Sequence, residues 1–382
     1  MRRRTGLRAT AGWAIGSWLP RGALAAPPGT AAIAADPVRR GRPMRFPRDH
    51  GAHLSATIEW WYVTGTLLAS DERRFGFQIT FFRARTGLAQ DLPSRFAPRQ
   101  LLFAHAALTD LAAPAHHHTQ RLARWSGDAA APTAHAKLRD TGLLLGGWTL
   151  QRSEANGLSH YQTRFGNADS SPAQPFQLDL QLNAAQAPLL QGEAGYSLKG
   201  PGDDHASHYV SEPQLAASGT LQLGGKTLAV RGRAWLDHEW SDSLMHPQAV
   251  GWDWVGMNLD DGSALTAAQL RRADGHALWA GGSWRDADGH SQTFAADAVR
   301  FTPLQRWRSP ASEADYPLHW RLQTPVGDFE VRALLDAQEL DSRASTGTVY
   351  WEGLSELLDA QGRRVGLGYL EMTGYAGRLR LG

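Results

Sequence analysis

The chain has no cysteine among its 382 residues. Disulfides, thiolate nucleophiles, cysteine metal sites and a lipidated cysteine anchor are therefore excluded, while the compartment stays open because cysteine-free proteins occur in all of them. Several catalytic signatures are missing too. There is no G-x-S-x-G nucleophile elbow, no G-x-G-x-x-G after a strand, no P-loop spacing and no H-E-x-x-H pair. No run of 18 apolar residues occurs, so no membrane-spanning helix is expected. Helical periodicity is nearly absent. The positive charge is also local. Eight arginines against one acid in residues 1–42 carry +7, which leaves −5 for the rest of a chain whose total is +2. A mildly acidic body does not offer a nucleic-acid footprint.

What is abundant is tryptophan, 15 residues, and glycine, 40 residues. The tryptophan share is about three times the usual one. Indoles packing on pleated faces, with glycine at turns, point to β-architecture. Residues 1–45 read as an export signal and linker. Arg2-Arg3-Arg4 form a basic start, Ala9 to Leu19 an apolar stretch, and Ala23-Leu24-Ala25 or Ala32-Ile33-Ala34 a cleavage site. Arg3-Arg4-Thr5-Gly6-Leu7 loosely resembles a twin-arginine signal, so the export route stays open. A periplasmic or secreted location is expected.

From His53 onward the chain reads as strands and turns. Phe75, Phe77, Ile79 and Phe81 alternate along one strand, as do Phe176, Leu178, Leu180 and Leu182 along another. Tight hairpins are expected around Gly224-Gly225, Asp260-Asp261-Gly262 and Ala360-Gln361-Gly362. His116-His117-His118, after Pro114, is expected in a loop. The halves rhyme: Glu59-Trp60-Trp61-Tyr62 precedes a turn and Gln78, and Trp252-Asp253-Trp254-Val255 precedes a turn and Gln269. Many short antiparallel strands predict barrels or sandwiches. The expected domains are 46–228 and 229–382.

The hexapeptide Trp235-Leu236-Asp237-His238-Glu239-Trp240 sets three titratable groups between two indoles. On a strand, Asp237 and Glu239 share one face, and His238 and Trp240 the other. Either face puts a titratable group beside an aromatic one, in surroundings that shift its pKa. Glu59 and Asp253 are further carboxylates among aromatics. Glu352 and Glu371, on the last hairpin, read as structural or exposed.

Glu59-Trp60-Trp61-Tyr62-Val63-Thr64-Gly65, Gly195-Tyr196-Ser197-Leu198-Lys199-Gly200 and His208-Tyr209-Val210-Ser211 follow one ordered pattern. It continues through the 235–240 hexapeptide, Gly251-Trp252-Asp253-Trp254, Tyr350-Trp351-Glu352-Gly353 and 368–375. Over about residues 45–380 the chain resembles the carotenoid hydratase (CrtC)/AttH-like family, the lipocalin-like "predicted secreted hydrolases". The resemblance implies an all-β fold of two lipocalin-like (calycin-type) antiparallel β-barrels packed side by side. It implies a hydro-lyase that adds water across an isolated carbon–carbon double bond of an apolar isoprenoid-like substrate, without a cofactor or metal. It places His238 and Trp240 in the family's His-x-Trp pair and leaves the acid open between Asp237 and Asp253. It favours the His238 and Trp240 face as the one turned inward, with Asp253 then the first candidate for the proton. Glu59, Trp60, Tyr62, Tyr209, Trp240, Trp252 and Trp254 are the expected ligand-binding set. The alternative is a periplasmic ligand carrier or an accessory to an ABC-transporter permease, since relatives sit beside such permeases. A secreted hydrolase is a third reading and lacks a nucleophile motif. A buried carboxyl in reach of His238 and opening on an apolar cavity is the feature that favours chemistry over carriage.

Overall fold

The structure, a computed structural model, describes residues 36–378 except 93, 95 and 169–173. The expected export signal and both cleavage sites lie outside the described residues. The only helix among the described residues is a single 3-10 turn, Arg48–His50; the strands form two antiparallel sheets. The first holds β1 (Ile58–Ala69), β2 (Arg74–Arg85), β3 (Gln100–Asp110), β4 (Ala115–Trp125), β5 (Ala134–Ala136), β6 (Gly142–Leu145), β7 (Trp148–Ala155), β8 (Leu158–Gly166), β9 (Phe176–Asn183), β10 (Leu189–Leu190), β11 (Tyr196–Leu198), β12 (Ala206–Leu223) and β13 (Lys226–Ser241). The second holds β14 (Gly251–Leu259), β15 (Ala264–Arg271), β16 (Ala277–Arg285), β17 (Ser291–Phe294), β18 (Arg300–Arg308), β19 (Asp315–Thr324), β20 (Gly327–Ala333), β21 (Glu339–Asp341), β22 (Val349–Leu358) and β23 (Arg364–Met372). The fold is all-β, and the two sheets are consistent with two lipocalin-like barrels. In the first, the order runs β4-β3-β2-β1-β13-β12-β9-β8-β7-β6-β5, and the end strands β4 and β5 touch, nearly closing it.

The expected hairpins form at their turns: β12 with β13, β14 with β15, and β22 with β23. The histidine run lies on strand β4, not in a loop; half-buried His116 bonds Thr109 on the paired strand. The expected boundary at 228/229 falls inside β13. The chain leaves the first sheet after Ser241 and enters the second at Gly251.

Alternation decides what each strand face meets. Trp61, Val63 and Leu67 of β1 join Phe75, Phe77, Ile79 and Phe81 of β2 in the core inside the first sheet. Val255, Met257, Leu265 and Trp351 belong to the second core. The opposite faces meet between the sheets, where Tyr62, Trp235, Trp254, Leu354 and Tyr369 pack together. Trp254 stands edge-on to Tyr62 and Trp235, at 5.2 and 6.1 Å between ring centres. Gly256 allows this: a Cβ there would lie 2.3 Å from the Trp254 ring.

The rhyme between the halves is a repeat of neighbours. β3-β2-β1-β13-β12 in the first sheet corresponds to β16-β15-β14-β23-β22 in the second. In each, the first strand pairs with its hairpin partner and with the last strand of its sheet. Glu59 and Asp253 occupy equivalent places, each paired with an arginine of the following strand, Arg83 at 2.7 Å and Arg271 at 2.9 Å.

Candidate active site between the sheets

A cavity of about 580 Å³ opens between the two sheets. Cross-strand register builds its walls. Tyr209, Glu239, Trp60, Phe82 and Phe103 form one row of the first sheet, and Ser211, Asp237, Tyr62, Thr80 and His105 the next. The second sheet answers with Glu352, Glu371, Trp254, Ala268 and Gly281. Beside that row run Trp252, Leu270 and Trp279. All of these except Ser211 line the cavity. Most of the cavity surface is apolar, with indole and phenyl rings prominent, and charged groups (Asp237, Glu239, Glu352, Glu371, Lys199 and Arg40) are set into it.

Asp237 is 3% exposed, at the centre of one wall. Three groups donate to its carboxyl: Ser211 Oγ at 2.5 Å and Trp235 Nε1 at 2.7 Å to Oδ1, and the Tyr209 hydroxyl at 2.7 Å to Oδ2. Tyr209 accepts in turn from Trp254 Nε1 at 3.1 Å, so the hydrogen-bonded chain crosses from one sheet to the other. Burial pushes the Asp237 carboxyl up to about 7, more than its three donors pull it down. Burial and the nearby Asp237 and Glu239 carboxylates also raise the Tyr209 phenol well above its ordinary value. Glu239, two residues on, bonds Ser207 and the Lys199 ammonium, and Lys199 stands 4.3 Å over the Trp60 ring.

On the opposite wall Glu352 and Glu371 face each other across β22 and β23. Burial first, and then the neighbouring Glu371 carboxylate, raise Glu352 well above the usual range. Glu371 is raised as well, by burial and by Asp237 and Glu239.

His238 and Trp240 point the other way, into the first barrel. His238 Nε2 meets Glu59 Oε1 at 3.0 Å, and its ring stacks on Trp61 at 4.5 Å. Trp240 is fully buried and stacks on His53 at 3.7 Å. Glu59 also takes hydrogen bonds from the His53 backbone and ring and from Arg83 Nε at 2.7 Å. Burial opposes its charge, but Arg83 and His238 hold it well below the usual carboxylate range. Burial keeps His238 below its ordinary value. His53, Glu59 and His238 offer three ligand-type atoms within 4.8 Å of one another. These atoms are already joined by hydrogen bonds, and Arg83 balances the charge, so a metal would have to displace both.

The structure thus divides the expected site in two. Asp237, Trp60, Tyr62, Tyr209, Trp252 and Trp254 converge on the cavity. His238, Trp240 and Glu59 form a separate buried network behind β1 and β13. Asp253 faces the second barrel, bound to Arg271, Gln269 at 2.8 Å and Tyr375 at 2.9 Å. The face turned to the cavity is that of Asp237 and Glu239, the reverse of what the resemblance favours. The two halves of the expected chemical feature are also separated: Glu59 reaches His238 without opening on the cavity, and Asp237 opens on the cavity without reaching His238. Sequence reading missed Glu352, Glu371 and Lys199. The turn of the last hairpin alone would not have found the two glutamates, because a β-bulge between Leu357 and Leu358 shifts the register by one residue before it sets them side by side.

Fold and site together define a two-barrel β-protein with an aromatic, carboxyl-bearing cavity between its barrels. The chain belongs to the AttH-like family, whose profile matches residues 37–375. It is similar to the crystal structure of an AttH homologue from Nitrosomonas europaea, with 44% identity and a TM-score of 0.80, over 90% of this chain and 100% of that one. It is also similar in fold to kievitone hydratase from Nectria haematococca, with 15% identity and a TM-score of 0.66, over 90% of this chain and 94% of that one. No curated protein sequence matches the chain.

Proposed function

We propose that the chain, exported to the periplasm or beyond, binds an apolar isoprenoid- or lipid-like molecule between its sheets and adds water across an isolated carbon–carbon double bond. Asp237 is the observation that carries this reading. A carboxyl titrating near neutrality, inside a cavity walled by indoles, keeps its proton at working pH and is still acidic enough to give it up. With Asp237 protonated, its O–H donates to the Tyr209 oxygen and the phenol O–H turns toward the cavity. The phenol proton passes to the less substituted alkene carbon while Asp237 reprotonates the phenol. The alkene's π pair becomes the new C–H bond, and positive charge is left on the more substituted carbon. The face of Trp254 stabilises that charge by about 2 kcal/mol when desolvated. Water adds to the cation, and its surplus proton returns through Tyr209 to the Asp237 carboxylate, so one water is consumed. A hydratase on the same fold supports the reaction class.

The test is turnover of a panel of acyclic terpenoid alkenes in ¹⁸O-water. The native chain is expected to place one labelled oxygen in the product. Asp237→Asn and Tyr209→Phe are each expected to lose about 10²-fold or more. Full turnover by both variants overturns the mechanism. Tight binding without labelled product on any alkene leaves the carrier reading in its place.

A further inference from the structure

The two equivalent rows that face each other across the cavity differ in charge balance. In the first-sheet row, Glu239 has its cation: the Lys199 ammonium is paired with it. In the second-sheet row the position equivalent to Glu239 is Glu371, and the position equivalent to Tyr209 is a second acid, Glu352. Among the described residues no lysine, arginine or histidine forms an ion pair with either. Like charges directly opposite on paired strands are unfavourable, and an uncompensated buried carboxylate is more so, so without a cation beside it the pair holds protons, which a bound cation would displace. The polar groups beside Glu352 point the same way. Its carboxyl, 2% exposed and with Oε1 left without a well-formed hydrogen bond, has the Tyr62 and Tyr350 hydroxyls as neighbours, and neither supplies a positive charge. All three residues line the cavity.

We infer that the counter-ion of the Glu352 and Glu371 pair is the ligand, and that this cavity selects an apolar molecule carrying a positive charge, as a tertiary or quaternary ammonium. Trp252 and Trp254 lie beside the glutamates, and indole faces attract such cations. Asp237 across the cavity adds a third carboxyl, and both cations of the cavity wall are engaged elsewhere: Arg40 by Glu193 and Asp203, and Lys199 by Glu239, from where it offsets only part of the charge of Glu371. The same field favours a cation formed transiently from an uncharged substrate. The inference rests on the reading of the cavity as the ligand site and not on the hydration step.

The test uses trimethyl(4-phenylbutyl)ammonium and its uncharged carbon isostere, in which a tert-butyl group replaces the trimethylammonium. Binding to the full chain at pH 8 is followed by tryptophan fluorescence and calorimetry. The ammonium is expected to bind at least tenfold more tightly than the isostere. Glu352→Gln with Glu371→Gln is expected to erase that preference while the isostere's affinity holds. Lys199→Met, which frees Glu239, is expected to raise the preference and provides a second readout if the double variant does not fold. Equal affinities, no binding of either probe, or a preference that survives in the double variant overturns the inference. A chain that prefers the ammonium but hydrates no alkene refutes the hydration reading alone. A hydratase that holds both probes equally refutes this inference alone.

Discussion

Replacing Asp237 by asparagine is expected to stabilise the protein at pH 8 relative to pH 4, although it removes a charge-assisted hydrogen bond. The native carboxyl titrates near pH 7, against 3.8 for the same group in an unfolded chain. Between those values the folded protein holds a proton that the unfolded chain has released. Stability therefore falls as pH rises through this window, by up to about 1.4 kcal/mol per pH unit, and levels off above the folded value. Over a window of about three units the contribution is roughly 4 kcal/mol. Asparagine does not titrate. The contacts it loses with Tyr209, Ser211 and Trp235 cost the same at every pH and cancel in the difference between variants. Guanidinium unfolding of both chains at pH 4, 5, 6, 7 and 8 measures that difference directly. The stability of Asp237→Asn relative to the native chain should improve by roughly 4 kcal/mol from pH 4 to pH 8, most of it before pH 7. A change below about 1 kcal/mol, or one of opposite sign, refutes the assignment of Asp237 as a carboxyl kept neutral by burial.

Arg83→Met leaves Glu59 charged and unpaired in the first barrel and is expected to cost about 3–5 kcal/mol in denaturant unfolding. Adding Glu59→Gln should recover a large part of that loss; no recovery would mean that the pair's charge is not what the site depends on. Gly256→Ala drives a Cβ into the Trp254 ring. It is expected to cost about 1–3 kcal/mol and to alter the near-ultraviolet circular dichroism of the Trp235 and Trp254 pair. An unchanged spectrum with unchanged stability would show that the seam between the sheets accommodates the methyl group.

Acids in this protein divide by what lies opposite them. Glu59 and Asp253 repeat one another across the two halves, each answered by an arginine on the next strand. Their repetition marks them as parts of the barrel frame. Glu239 and Glu371 repeat one another as well, on the last strand of each sheet, opposite Trp60 and Trp254. Asp237 has no acidic counterpart: the equivalent position is Tyr369. The cavity owes its asymmetry to Asp237 on one wall and Glu352 on the other, and both proposals draw on that asymmetry.

Much of the frame was legible in the chain. Alternation in Arg74 to Arg83, glycine and aspartate at the turns, and the absence of helical period are local properties, and they set the strands, the hairpins and the all-β class. The family motifs added the two barrels. The pairing of Asp237 with Glu239, and of His238 with Trp240, followed from a period of two alone. Local pattern does not say which strand face meets a cavity, because both faces of β13 are buried from Ala234 to Ser241, one against the first barrel's interior and one against the second sheet. That choice depends on where β14, β22 and β23 pack, more than a hundred residues away for the last two. Only the tertiary structure turned Asp237 toward the cavity between the sheets and His238 away from it. Only it set Glu352, buried, and Glu371, half-buried, side by side on the facing wall of the cavity, where their strands had suggested structural or exposed acids.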